Sequence, residues 1–190
     1  MPAPRRTRSD ALQNRERLLE VVVRVFAEEG MDTTPAAIAK QAGVGVGTLY
    51  RHFPTREALL VAAHSRQLSL VCETAPGLVA RHSAAEATRT WLGHFLDHAM
   101  ANSNMCAALN AVIASGVDPY AESHALLTDA VTTLLDAGAR DGSLRQDVTP
   151  GDVLLLVGAV ASSAQHGNRE QATRLIDLLM DAITRNLAAS

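Results

Sequence analysis

The side chains best suited to chemistry lie close together in the segment 46–53, which reads Val-Gly-Thr-Leu-Tyr-Arg-His-Phe. On a helix that turns about 100° per residue, Leu49 and Phe53 share one face, with Val46 near them. The opposite face and the flanks carry small, hydroxyl, aromatic and basic residues: Gly47, Thr48, Tyr50, Arg51 and His52. An apolar seam opposite such a face suits a helix that enters the major groove of DNA, because it offers close approach and donors for phosphates and base edges. A surface helix of a generic helical bundle is the alternative.

A weaker arrangement is the pair His94 and His98, whose spacing lets two imidazoles on one helix share a metal ion, with Asp97 between them. His124 or His166 would have to supply a third ligand, and no second clustered motif supports either. We therefore predict no bound metal and no cofactor.

Catalytic and redox motifs are missing from the sequence. It has no Gly-x-Ser-x-Gly elbow, no phosphate-binding glycine loop and no dinucleotide-binding fingerprint. Cys72 and Cys106 stand 34 positions apart without a Cys-x-x-Cys motif, which favours packing in the core. We predict that the protein is not an enzyme.

Helical periodicity and capping residues divide the chain into eight or nine helices, and no segment alternates like a strand. In the first half, the predicted helices run from Asp10 to Gly30, Thr34-Pro35 to Gly43, Val46 to Phe53, and Thr55 to Thr74 with a break at Pro76-Gly77. In the second half they run from Ser83 to Asn102, Met105 to Ala114, Asp118 to Arg140, Thr149 to Gln165, and Asn168 to Leu187. The fold class is therefore all-α, and Gly43-Val44-Gly45 is the turn of a candidate helix-turn-helix.

Charge is distributed unevenly along the 190 residues, whose net charge is −3. Residues 1–64 carry nine Lys and Arg against seven Asp and Glu, whereas residues 65–190 carry eight against thirteen. Arg5, Arg6 and Arg8 indicate a basic flexible arm at 1–9, either a merely solvated terminus or a segment that follows a polyanion. No apolar run approaches the roughly 18 residues of a membrane span, and the N-terminus lacks the apolar core of a signal peptide. We expect a cytoplasmic protein without membrane contact.

The segment 44–59, from Val44-Gly45-Val46-Gly47-Thr48 through Arg56-Glu57-Ala58-Leu59, resembles the core of the TetR family of bacterial transcriptional regulators. The resemblance extends without a gap over residues 12 to 64, through Ile38-Ala39-Lys40-Gln41-Ala42-Gly43 and Phe26-Ala27-Glu28-Glu29-Gly30. It implies an N-terminal three-helix DNA-binding domain at 10–60 and a helical ligand-binding and dimerisation domain at 61–190. It further implies a homodimer that binds double-stranded DNA at a palindromic operator.

Carried over residue by residue, the resemblance places Thr48, Tyr50 and His52 at the DNA and Thr34 at a helix N-terminus near phosphate. Arg56 stands where the family commonly has lysine, and arginine can also bind phosphate. Gly45 stands where the family often has a capping serine, which predicts a slightly looser helix. Val46, Gly47 and Arg51 complete the candidate DNA-binding set.

Two helices of the second half are candidates for dimerisation. The helix after Thr149 is apolar nearly all round, and the last helix carries an apolar stripe, so each has a face to spare. The residues assigned to the interface are Leu154, Val157, Ala161, Leu175, Leu179 and Ile183. Burial of both faces within one subunit is the alternative.

The remaining helices of the second half are where the family resemblance implies a ligand site. Mostly apolar walls with a few polar groups suit a small molecule. The candidate residues are Trp91, Phe95, His98, Met105, Leu109, Asn110, Tyr120, His124 and Leu127. Arginines are few on these helices, which favours an apolar or aromatic inducer. Ordinary core packing is the alternative for each candidate residue.

The resulting hypothesis is a repressor that a small molecule releases from its operator, with the helix after Thr55 as the lever. A TetR-like activator or a ligand-independent regulator is the first alternative. The second is a helical metal-sensing, interaction or enzymatic protein that has lost DNA binding.

Overall fold

A computed structural model of the chain describes residues 8–103, 105, 108, 109, 121–164 and 168–184. Within these ranges the regular structure is helical, apart from an isolated bridge between Leu144 and Thr184. The helices are α1 (Arg8–Glu29), α2 (Pro35–Gln41), α3 (Val46–His52), α4 (Arg56–Cys72), α5 (Thr74–Val79), α6 (Ala84–Ala101), α7 (Ala121–Asp141), α8 (Pro150–Ala164) and α9 (Arg169–Ile183). The all-α prediction is confirmed. In the described ranges, no helix combines the length and apolarity that a membrane span requires.

Residues that cap the helices set most of their boundaries. Ser83 and Glu86 form the predicted capping box at α6, where the Ser83 hydroxyl accepts from Glu86 N and the Glu86 carboxylate accepts from Ser83 N. Asn168 caps α9 by accepting from Gln171 N at 2.9 Å. These bonds satisfy N–H groups that the first helical turn leaves unpaired, so the predicted starts of both helices are confirmed.

The predicted break at Pro76-Gly77 is wrong, because both residues lie inside α5. The helical run is instead interrupted at Glu73, between α4 and α5. Proline at the third position of a helix loses no helical bond, because N–H groups of the first turn have no partner inside the helix.

The chain divides into two compact units, with a boundary after Gln67 inside α4. The first unit contains α1, α2, α3 and most of α4, and it also includes residues 108 and 109. Its buried side chains come from every one of these helices: Leu18, Val22, Val25, Phe26, Ile38, Leu49, Leu59 and Leu60. The predicted division after residue 60 stays a prediction, as does the arm, whose residues before Arg8 lie outside the described ranges.

The second unit is a helical bundle in which α6 packs against α5, α7, α8 and α9. Trp91 is fully buried in its core, and its indole N–H donates to the Val71 carbonyl at 3.2 Å. Cys72 is buried in the same core, as predicted, and burial raises the pKa of its thiol to about 11. Cys106 and most of the predicted helix Met105–Ala114 lie outside the described residues.

Exposed ion pairs show that α6 and α9 run antiparallel. Arg89 pairs with Asp177 and Asp97 pairs with Arg169, so position increases along one helix as it decreases along the other. Such exposed pairs contribute at most about 1 kcal/mol each, so the buried apolar core carries the stability.

The connection from α7 to α8 folds back onto α7. Gly142 takes a left-handed conformation at φ 75°, and Leu144 N then donates to the Gly138 carbonyl at 3.2 Å. Leu144 is fully buried over Gly138, where a Cβ atom would lie 2.3 Å from Leu144 Cγ. This contact requires glycine in the last turn of α7.

Candidate DNA-binding site

The turn between α2 and α3 is a glycine-terminated helix end that fixes the path of the chain into α3. Gly43 has φ 66°, a left-handed conformation that glycine adopts without steric cost. Gly43 N donates to the Lys40 carbonyl at 3.1 Å, and Val44 N donates to the Ala39 carbonyl at 3.0 Å. These two bonds form a Schellman motif, which satisfies carbonyls at the end of α2.

The start of α2 is capped as the Thr34-Pro35 pair predicts. The Thr34 hydroxyl accepts from Ala37 N at 3.3 Å, and Pro35 occupies the first helical position. Thr34 is exposed, so the N-terminus of α2 is open to solvent. The positive end of the helix dipole makes such a terminus suitable for a phosphate.

The two faces of α3 differ in burial as the sequence indicates. Leu49 and Phe53 are 1% and 2% exposed, which confirms the predicted apolar seam. Tyr50 is 44% and Val46 40% exposed, so Val46 lies outside the seam. Gly47 and Arg51 are also exposed, while Thr48 and His52 are partly exposed. The structure thus brings these candidate DNA-binding side chains together on one accessible helix.

An unpredicted contact supports the seam from α1. The guanidinium of Arg15 lies over the Phe53 ring, 5.2 Å from its centroid. A cation over an aromatic face is attracted by the ring quadrupole, so Arg15 covers the residue that ends α3. Nothing in the spacing of Arg15 and Phe53 along the chain indicates this contact.

The guanidinium of Arg56 binds protein carbonyls in the structure. It donates to the Thr33 carbonyl at 3.2 Å and to the Met31 carbonyl, both in the loop before α2. A guanidinium has five N–H donors, so these bonds leave donors for a phosphate. The predicted phosphate contact of Arg56 stays a prediction, whereas its hold on this loop is a structural role that the sequence did not indicate.

The start of α4 is fixed next to Arg56. The Thr55 hydroxyl accepts from Ala58 N at 3.0 Å, and hydrogen bonds from the Glu57 backbone and from Thr55 lower the pKa of Glu57. The Arg56 side chain therefore projects from a well-capped N-terminus of α4, which limits where its guanidinium can reach.

The candidate ligand residues are only partly brought together, and one of them, Leu109, belongs to the first unit. Trp91 and Phe95 stack with ring centroids 5.8 Å apart, and Leu127 packs against the same core. Met105 and Leu109 are buried, whereas His124 is exposed. Asn110 and Tyr120 lie outside the described residues. The aromatic pair is therefore the part of the prediction that the structure places in one cluster.

His98 lies one turn after Phe95 and is largely buried. Burial lowers the pKa of its imidazole, so His98 is neutral at physiological pH. The Asn102 side-chain amide lies 3.2 Å from His98 Nδ1 and donates to the His98 carbonyl at 2.8 Å. His94 is exposed, and in the part of the chain that the structure describes, no three His, Cys, Asp or Glu side chains could hold a metal ion together.

The residues assigned to dimerisation need correction. Val157, Leu179 and Ile183 lie in the core of the second unit, and Leu154 and Leu175 pack against that core. Ala161 is also buried. The leucines that face solvent on the same helices are Leu155, Leu156 and Leu178, which are 76%, 49% and 63% exposed. An all-round apolar helix does not reveal which face its own bundle covers, and the stripe chosen from the sequence is the inward one.

An exposed recognition helix held by a glycine turn and a capped neighbour defines the first unit as a DNA-binding helix-turn-helix. Comparisons with known proteins agree with this class. Residues 18–63 match the family of bacterial regulatory proteins named for TetR, and residues 83–184 match the C-terminal domain of SbtR-like transcriptional regulators. Together the two matches cover both units.

Solved structures give the same result over nearly the whole chain. The TetR transcriptional regulator SCO0520 from Streptomyces coelicolor is 44% identical, with a TM-score of 0.70, over 90% of this chain and 99% of that one. A TetR regulatory protein from Mycobacterium vanbaalenii is 29% identical over 94% and 99% of the two chains, with a TM-score of 0.64. The chain belongs to the TetR family of DNA-binding transcriptional regulators, which is not a family of enzymes.

A curated relative matches a shorter stretch of the chain. An HTH-type transcriptional regulator of Staphylococcus aureus (strain bovine RF122 / ET3-1) is 41% identical over 63 residues, which are 33% of this chain and 34% of the relative. The chain therefore matches about a third of the length of this relative.

Proposed function

We propose that the protein is a repressor that binds a palindromic operator as a homodimer and leaves it when a small molecule binds the second unit. The observation that carries the proposal is the division of α3 into a buried seam, Leu49 and Phe53, and an exposed face. A helix of about 10–12 Å diameter fills the major groove, so the exposed face would meet base edges while its ends meet phosphates.

Within this proposal, Tyr50 and Thr48 contact the DNA backbone, and Val46, Gly47 and Arg51 face the bases. Thr34 binds a phosphate at the N-terminus of α2, and Arg56 binds one at the N-terminus of α4. His52 supplies a further donor at the end of α3. Phosphate contacts fix the register of the helix, and contacts to base edges give sequence preference.

The test uses a 30-base-pair duplex of mixed sequence and needs no known operator. We expect Tyr50→Ala to weaken binding at least fivefold, and Tyr50→Phe to weaken it less if the ring packs against the backbone. Trp91 fluorescence should be unchanged in both variants, because Trp91 lies in the second unit. Equal binding by wild type and Tyr50→Ala would refute the assignment of Tyr50.

Dimerisation is proposed to use the outward faces of α8 and α9. Leu155, Leu156 and Leu178 are large apolar side chains held in solvent, and full burial of a leucine is worth about 1.5–3 kcal/mol. A two-fold symmetric contact uses the same surface on both subunits, so it would bury both copies of each leucine.

The matched test compares two substitutions by mass measured with light scattering. Leu178→Asp should convert the dimer to a monomer at micromolar concentration, because it places charge in the contact. Leu70→Asp changes a leucine that is 47% exposed on α4, outside this surface, and should leave the dimer intact. A dimeric Leu178→Asp protein would refute the proposed surface.

The inducer is proposed to be apolar or aromatic and to bind beside Trp91 and Phe95. Both rings lie in a largely apolar core, and His98, neutral through burial, offers hydrogen bonding without charge. The chain has one tryptophan, so ligand binding there should change its fluorescence. A compound that releases the duplex but leaves this fluorescence unchanged would place the inducer site elsewhere.

A further inference from the structure

A cleft of about 330 Å³ lies between α1 and α3 in the first unit. Four of its lining residues are apolar, namely Leu18, Val21, Ala42 and Val44, and four are polar, namely Asn14, Arg17, Thr48 and His52. The polar groups are an amide, a guanidinium, a hydroxyl and an imidazole, all of which can donate hydrogen bonds. No Asp or Glu lines the cleft, so its chemistry suits an anion.

Helical spacing in α1 and α3 explains why these residues meet at the cleft. Arg17 follows Asn14 by three positions and Val21 follows Arg17 by four, which places all three on one face of α1. Thr48 and His52 are four positions apart, so they share the face of α3 that borders the cleft. Two residues of the exposed recognition helix therefore stand opposite a basic residue of α1.

The electrostatic surroundings of Arg17 differ from those of four arginines of the second unit, Arg89, Arg145, Arg169 and Arg174, which each pair with a carboxylate. Across the described residues, Arg17 forms no ion pair, a property that it shares with Arg24. Unlike Arg24, Arg17 lines the cleft, where its side chain is exposed. An unneutralised cation beside the recognition helix is where a DNA phosphate gains the most from a contact.

We infer that this cleft seats a phosphate of the DNA backbone, with Arg17 as its principal ligand and Thr48 and His52 as further donors. The inference rests on the proposed function. The recognition helix nearly fills a groove about 12 Å wide, so a side chain on the helix beside it faces the phosphates at the groove edge. Arg17 then positions α3 without reading sequence.

The experiment measures binding to a mixed-sequence 30-base-pair duplex between 50 and 200 mM KCl for wild type, Arg17→Ala, Arg17→Lys and Arg24→Ala. Each phosphate contact contributes about 0.9 to the slope of log affinity against log salt. Wild type should therefore lose about 3.5-fold more affinity per bound protomer across this range than Arg17→Ala does. Arg17→Lys should keep the wild-type slope.

Arg24→Ala is the matched control, because it removes the same charge from an exposed position two turns further along α1, outside the cleft. Its slope should equal that of wild type. An Arg17→Ala slope equal to that of Arg24→Ala would overturn the inference while the proposed function stands. A wild-type protein without salt-dependent DNA binding would overturn both.

Discussion

Substitution of Gly43 tests whether the turn holds the recognition helix in place. At φ 66° a Cβ atom would meet nothing within 4 Å, so Gly43→Ala introduces no clash and the whole effect is conformational. A left-handed alanine costs about 1–2 kcal/mol, and asparagine costs less because it tolerates this region. Opening of α3 should therefore become about 5- to 30-fold more frequent in Gly43→Ala.

Gly45→Ser is the matched change two residues later, and it should act in the opposite direction. Gly45 has φ −72° and ψ 149° and caps α3 without a side-chain bond, so serine fits and adds one. The gain is about 0.5–1 kcal/mol, from the cap and from a less flexible unfolded chain.

Native-state hydrogen exchange measures both effects directly. The reporter is the Phe53 amide, which donates to the Leu49 carbonyl at 2.9 Å. Compared with wild type, exchange of this amide should be faster in Gly43→Ala and slower in Gly45→Ser. In Gly43→Asn the rate should lie between those of wild type and Gly43→Ala. Unchanged exchange in Gly43→Ala would refute the argument that the left-handed turn holds α3.

Three further outcomes are expected. Gly138→Ala should lower the melting temperature by a few degrees, because overpacking against Leu144 costs about 1–3 kcal/mol, whereas Gly93→Ala, with nothing within 4 Å, should raise it; equal melting would contradict the contact. Hydrogen bonds from Ser83 lower the pKa of Glu86, so this cap stabilises the fold above the unfolded pKa of Glu86 and loses that stabilisation as pH falls through the lower folded pKa. The melting temperature of wild type should therefore fall more on acidification than that of Glu86→Gln. Equal acid sensitivity of the two proteins would show that the cap does not contribute to stability. Arg56→Lys should keep most duplex binding but speed amide exchange in the loop before α2, because the single nitrogen of lysine replaces two guanidinium nitrogens that each donate to a different carbonyl. Unchanged exchange would show that this loop does not depend on Arg56.

Helix boundaries were predictable wherever a capping side chain marks them. Ser83 with Glu86, Thr34 with Pro35 and Asn168 each begin the helix that the sequence indicates, because the bond involved joins residues three positions apart. Pro76 shows the limit of such local signals. Proline disrupts a helix only after its first turn, and where that turn begins depends on the packing of α5 against α6 and α7.

The candidate DNA-binding face was predictable because α3 is short and its apolar residues fall on one side. In α8 the apolar residues surround the helix, so periodicity alone could not separate Val157, which is buried, from Leu155, which is exposed. The contacts of Arg56 with Met31 and of Arg15 with Phe53 join residues distant along the chain. No local pattern encodes such pairs.

Selection of bound sequences from a random duplex library, with purified protein at near-physiological salt, shows whether the exposed face of α3 reads DNA sequence. We expect a palindrome whose half-sites lie about one helical turn, roughly 34 Å, or a multiple of it apart, as paired recognition helices require. Tyr50→Ala should recover this palindrome weakly or not at all. Recovery of sequences without a shared motif would contradict the claim that the exposed face of α3 reads DNA.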